Sequence, residues 1–251
     1  MRLRSLESLA MLVCGMLSNE IAGAEALFTV PLAPDGVGVE RGLAQLVCAD
    51  ADGAHYSRGA ILEVGTAAAG EVILVAAHGL PANAGQVRRD CRITGPEDRA
   101  YDIKAVWWSA GRSDDKEHDW AVLLTARRIN GTVRRLRAEE LPPMLLAEEA
   151  PLRLLLYRRE AEEHDCHFQA ASAGVDTVDE GAIFAHSCRS WPGLSGSPIL
   201  VAADGEPIVI GLHVGWRFTL APQGLVISGV GRAIDEEIAG AIAAAAARAS
   251  D

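Results

Sequence analysis

The chain has 251 residues, 49% hydrophobic and 23% charged, with 23 basic against 34 acidic side chains and a formal net charge of -11. That length and apolar fraction suffice for one large or two small domains with a real core. The acidic balance argues against nucleic acid and anionic membrane surfaces as partners.

In chain order, residues 1–24 read as a cleaved export signal. Arg2 and Arg4 precede an apolar run, "LAMLVCGML", too short to span a bilayer, and "AGA" ending at Ala24 has the form of a signal peptidase site. Val13 stands where a lipidation motif needs a small residue, so Cys14 is not read as a lipid anchor. The segment carries two arginines and two glutamates, so its removal leaves the net charge unchanged. A secreted or periplasmic location is expected, with no membrane attachment after cleavage, because no other apolar run approaches the ~20 residues of a membrane helix. Cys48, Cys91, Cys166 and Cys188 remain, an even set suited to disulfides in an exported chain. Three connectivities are open; Cys48 with Cys91 and Cys166 with Cys188 is preferred, since each pair then falls inside one half of the chain.

Residues 25–130 hold short apolar or alternating runs: "GLAQLVCA", "GAILEV", "EVILVAA", "CRITG", "YDIKAVWW" and "WAVLLTA". Turn formers such as "DADGAH", "AAAG" and "GRSDD" separate them. Residues 131–150 are charged, contain Pro142 and Pro143, and read as a linker. Strands resume over residues 151–232 with "PLRLLLYR", "DCHFQAA", "GAIFAHSC", "SPILVAA", "PIVIGLHVGW" and "GLVISGV". Only residues 233–251, alanine-rich, acidic in the first turn and with Arg248 near the end, read as a helix. The class is all-β, a barrel or sandwich architecture closed by one C-terminal helix.

Chemistry enters at "WPGLSGSPIL", which places Ser195 in a glycine-rich turn before an apolar strand. A serine hydroxyl is a weak nucleophile until a base takes its proton, and the base needs a carboxylate to fix its tautomer. His78 ends the apolar run "VILVAAH", and Asp119 stands at the mouth of the buried strand in "HDWAVLL". An aspartate entering an apolar strand is costly unless something pairs with it.

These three motifs, in this order, resemble the trypsin-like (chymotrypsin-like) serine endopeptidases. "VAAH" at His78, "DWAVLL" at Asp119 and "GLSGSP" at Ser195 match the family's motifs, and "IGLHVGW" follows at the expected distance. The likeness covers residues 40–232 and implies two six-stranded antiparallel β-barrels with the catalytic groups in the cleft between them. It implies that Ser195 attacks the scissile carbonyl, that His78 acts as base and then acid, and that Asp119 orients His78. Backbone N–H groups of Gly193 and Ser195 would form the oxyanion hole, where a side chain at Gly193 would obstruct the substrate carbonyl.

Leu194 replaces the aspartate that, in animal zymogens of this family, pairs with a freed N-terminal amine, so the hole must be shaped otherwise. Val75 replaces a usual threonine. The wording around Ser195 is similar to the bacterial branch that includes the glutamyl endopeptidases. That likeness implies that Ser190, His213 and Gly215 line the pocket for the P1 side chain, the residue before the scissile bond, with Ser190 and His213 binding an acidic one. A histidine satisfied within a core strand is the other reading of His213, and Trp191 and Trp216 could reshape or cap the pocket.

"HDCH", His164 to His167, with His186 and Cys188, could supply zinc ligands. Disulfide pairing is preferred, because strand alternation puts Cys166 and His167 on opposite faces. No metal or cofactor is therefore expected. The arginines of "RRINGTVRRLR" read as a solvated linker face, and Trp107 and Trp108 as core and cleft-wall aromatics. The expected function is a secreted serine endopeptidase, acting as a monomer on protein or peptide substrates through an acyl-enzyme. The alternative is an inactive trypsin-like fold used as a binding or regulatory module.

Overall fold

A computed structural model describes residues 39–50, 53–65, 69–80, 90–97, 99–109, 115–130, 133–141, 151–154, 166–169, 182–203, 206–221 and 224–250. The signal reading at 1–24, Pro142 with Pro143, and His164 lie outside these residues.

Six strands form the first barrel: β1 (Leu43–Asp50), β2 (Gly53–Leu62), β3 (Val72–Val75), β4 (Cys91–Thr94), β5 (Ala100–Trp108) and β6 (Ala121–Thr125). They pair antiparallel in the closed order β1-β2-β3-β6-β5-β4. Alternation explains the closure, since Leu46, Ile61, Ile73, Ile93, Tyr101 and Leu123 all turn inward and bury within one cluster. The "GAH" stretch read as part of a turn instead belongs to β2, whose pairing with β1 runs from Leu43 opposite Ala60 to Asp50 opposite Gly53.

The second barrel contains β8 (Pro151–Leu154), β9 (Cys166–Gln169), β10 (Ile183–His186), β11 (Pro198–Ala203), β12 (Glu206–Ala221) and β13 (Gly224–Ala233). Its order is β11-β8-β9-β10-β13-β12, closed by pairing of β11 with β12. Beyond the barrel wall, the hairpin of β12 and β13 holds Phe218, Leu220, Leu225 and Ile227 exposed to solvent.

The stretch between the barrels ties both together. Leu136 is buried, exchanges backbone hydrogen bonds with Ile61 and Glu63 of the first barrel, and leads into β7 (Arg137–Ala138), which pairs in parallel with β12 of the second. Its arginines are not simply a solvated face. Glu71 is fully buried, and Arg135 grips its carboxylate with two hydrogen bonds of 2.6 and 3.0 Å, with Arg128 Nε at 3.6 Å. A buried carboxylate must be paired, and the basic run supplies the partners.

Helix α1 (Glu236–Ala249) starts at Asp235, whose side chain accepts the Ile238 N–H at 3.0 Å. Although it ends the chain, the helix packs on the first barrel, burying Ile238, Ala245 and Ala249 among Val72, Val122 and Leu124. Both preferred disulfides, Cys48–Cys91 and Cys166–Cys188, are present. Cys48 and Cys91 face each other across β1 and β4, a placement the sequence pattern alone did not contain. Trp107 and Trp108 are half-buried against the core clusters. No helix among the described residues is long and apolar enough to cross a membrane.

Candidate active site

The strand before His78 ends at Val75, and a 3-10 turn, Ala77–Gly79, carries the histidine away from the barrel wall. A second 3-10 turn, Lys116–His118, precedes Asp119. The two loops meet at Asp119, whose carboxylate accepts the backbone N–H of His78 at 2.8 Å and lies 2.6 Å from its Nδ1. The carboxylate is 1% exposed and the imidazole 39%. The cost of burying Asp119 is thus met by two donors from a single residue. Among the described residues, the Nε2 side of the ring has no hydrogen-bond partner.

Ser195 lies in the second barrel, in the turn that opens β11. Two residues of β2 hold that turn. The Ser195 carbonyl accepts the Arg58 N–H at 2.7 Å and the Ser57 hydroxyl at 3.1 Å, and the Gly193 carbonyl accepts Arg58 Nε at 3.0 Å. Ser57 also lies directly against Gly79, beside His78, so one buried serine links the histidine loop to the serine loop. Gly196 is required by the same approach: its φ is +82°, and a Cβ there would fall onto the Arg58 carbonyl oxygen.

Leu194 answers the missing aspartate. It is 1% exposed and buried in the core of the second barrel, so the turn is anchored by apolar burial and by Arg58 rather than by a buried ion pair. Within the turn the amides of Leu194, Gly196 and Ser197 donate to Trp191, His213 and Leu194. Among the described residues, the amides of Gly193 and Ser195 have no acceptor. Gly193 is exposed at φ +93° and Ser195 is half-buried.

His213 and Ser190 come together through Trp216. The indole N–H donates to Ser190 Oγ at 2.6 Å, and its ring stands 6.2 Å, edge to face, from the His213 ring. His213 Nδ1 lies 3.1 Å from His186 Nε2, with both rings essentially inaccessible. Burial pushes the His186 pKa down to about 4, and burial, then the charges of His186, Lys116 and His78, pushes that of His213 down to about 3. Both are neutral at neutral pH, so one nitrogen of the shared contact donates and the other accepts. His186 Nδ1 is buried without a partner. A bare acceptor there costs less than an orphaned N–H, which places the proton of His186 on Nε2 and that of His213 on its Nε2.

This pair predicts an acid-sensitive fold. In the unfolded chain both histidines take up protons near pH 6.5, whereas in the folded chain they resist until about pH 4 and 3. Their contribution is complete above the unfolded value and is lost as pH falls below it, by up to about 1.4 kcal/mol per pH unit for each ring. Urea unfolding followed from pH 7 to pH 4 should show a steeper loss for the wild type than for His186→Phe; parallel slopes would contradict this.

The thiols considered for zinc are consumed by the disulfide, and His186 is committed to His213. Several supports escaped the sequence reading. Ser57 is in phase with the inward Gly59 and Ile61, and a polar residue at such a position was the available signal. Arg58, Lys116 and Arg232 left none, because each acts on a backbone carbonyl far along the chain. Arg232, 1% exposed, donates through Nε to the Glu117 carbonyl at 2.5 Å and so holds the turn before Asp119 from the second barrel.

A scan against protein families and a search of curated proteins find no match. Solved structures do match. The thermostable serine protease AL20 from an extremophilic microorganism is similar at a TM-score of 0.57 and 14% identity, over 83% of this chain and 98% of its own. The scabies mite inactivated protease paralogue S-I1 is similar at 0.56 and 14%, over 84% and 95%. The chain has the chymotrypsin-like double-barrel fold of serine proteases. One of these two neighbours is an inactivated paralogue, so the fold alone does not decide activity.

Proposed function

We propose that the chain is an exported serine endopeptidase in which Ser195, His78 and Asp119 form the catalytic triad. The observation that carries this reading is an imidazole held by Asp119 together with a serine turn, tied to the histidine loop through Ser57, whose Gly193 and Ser195 amides have no acceptor among the described residues. Ser195 Oγ adds to the scissile carbonyl as His78 Nε2 takes its proton, and Asp119 holds the Nδ1–H of the resulting imidazolium. The Gly193 and Ser195 amides receive the developing oxyanion, a contribution of about 10²- to 10³-fold for each donor. His78 then protonates the leaving amine, and water released onto the acyl-enzyme by the same base completes hydrolysis. Two intrachain disulfides suit the oxidising compartment that an export signal implies.

A preference for glutamate at P1 fits the wall formed by Ser190, His213 and Gly215. Because Trp216 donates to Ser190 Oγ, the Ser190 hydroxyl hydrogen is left for a ligand. His213, protonated on Nε2 and 1% exposed, offers a second neutral donor to a carboxylate that reaches the base of this wall. His213→Ala should then lower kcat/KM for cleavage after glutamate about tenfold or more relative to cleavage after leucine. Equal effects on both substrates would remove His213 from P1 recognition.

The inactive, binding-only reading is separated by a fluorophosphonate probe. An activated Ser195 is labelled in the wild type and not in His78→Ala; an unlabelled wild type would favour the binding module.

A further inference from the structure

Lys116 occupies a position that the catalytic reading does not use. It lies in the turn three residues before Asp119, on the first barrel, and its ammonium reaches the second barrel to donate to the Val214 carbonyl of β12 at 2.6 Å. Val214 is the extra residue of a β-bulge, since His213 pairs with Gly231 and Gly215 with Val230. Such a bulge re-aims the backbone out of the ladder. Gly215 has φ +142°, and a Cβ there would lie 2.6 Å from Lys116 Nζ. The missing side chain is what lets the ammonium settle on this strand. Lys116 is half-buried and pairs with no carboxylate among the described residues. Its charge is among those that keep His213 neutral.

The same stretch of β12 is an open edge. Strand β11 pairs with it only as far as Leu212, and Gly196 and Ser197 complete the pairing at His213. From Val214 to Trp216, among the described residues, β13 alone pairs with the strand. An extended peptide with its scissile carbonyl at Ser195 can add along this edge by main-chain hydrogen bonds. Successive side chains of an extended segment point to opposite faces. A P1 side chain directed at Ser190 and His213 in the second barrel therefore leaves the P2 side chain, one residue earlier, directed at the first-barrel turn that carries Lys116.

We propose that Lys116 is a specificity-determining residue that selects a carboxylate side chain at P2 of the substrate. The inference rests on the endopeptidase reading above. Binding is an exchange of partners: a substrate N–H replaces the ammonium on the Val214 carbonyl, and the P2 carboxylate takes the released ammonium. Every polar group is satisfied before and after. A neutral P2 residue gives the ammonium only solvent, and a basic one repels it.

The test uses matched peptides that differ only at P2, carrying Glu, Gln or Lys, with P1 fixed at the residue after which the wild type cuts. The wild type should favour Glu over Gln by about fivefold in kcat/KM and disfavour Lys by a similar factor. Added salt should shrink both ratios, because the pair is partly exposed. Lys116→Met should bring them close to one, and Lys116→Glu should invert the order. Fluorophosphonate labelling of both variants reports that the serine site is folded. Serine-dependent cleavage with the same Glu:Gln ratio in the wild type and in Lys116→Met overturns the P2 assignment alone. Absence of any serine-dependent cleavage overturns the endopeptidase reading and this inference with it.

Discussion

Alanine at Ser195 is expected to lower kcat for a cleaved peptide about 10⁶-fold, to a residue of activity supplied by binding and the oxyanion donors alone. The size follows from the division of labour: with no hydroxyl to attack, His78 has no proton to take, and the histidine and aspartate lose their purpose together. The substitution should leave the fold intact, because the turn is held through the carbonyls of Ser195 and Gly193 and through burial of Leu194, none of which involves the hydroxyl. An unchanged unfolding midpoint alongside the lost turnover distinguishes chemistry from misfolding. Retained turnover in a folded Ser195→Ala protein would mean that another group does the work.

Asparagine at Asp119 carries the second large effect, about 10⁴-fold in kcat. The carboxylate serves two donors of His78, the backbone N–H and Nδ1. An amide offers one acceptor oxygen and one NH₂ group, so either the loop amide or the ring nitrogen meets a donor. If the oxygen keeps the backbone contact, the NH₂ group forces the imidazole to present a bare Nδ1 and to carry its proton on Nε2, the nitrogen that must accept from Ser195. The loss should fall on kcat far more than on KM, since Asp119 is buried behind the ring. A variant retaining wild-type kcat would show that the His78–Asp119 contact is structural only.

Much of this architecture could be read from the residues. The barrel strands declare themselves through alternation and through turn formers, and the alanine-rich tail through its composition and its acidic first turn. The disulfide preference rested on chain halves and agrees with the bonds in the structure. What escaped was information carried by the backbone of distant segments. Ser57 and Arg58 matter because β2 passes under the serine turn, 138 residues along the chain for the Ser57 contact. Charge patterns misled at the arginine run, since nothing local indicates that Glu71 is buried and needs Arg135. The helix packs on the barrel farthest from it in sequence, a choice made by the apolar face that the first barrel leaves uncovered. The resemblance alone pointed to Ser190 and His213 as pocket residues, whereas the indole donating to Ser190 and the His186 partner are facts of tertiary packing.

The central claim, that this double barrel hydrolyses peptide bonds through Ser195, is tested most directly by digesting an unbiased peptide mixture with the purified chain, Ser195→Ala in parallel, and reading the new termini by mass spectrometry. The account predicts cuts present with the wild type and absent with the variant, clustered after glutamate. Identical termini from both proteins, or none from either, would contradict it.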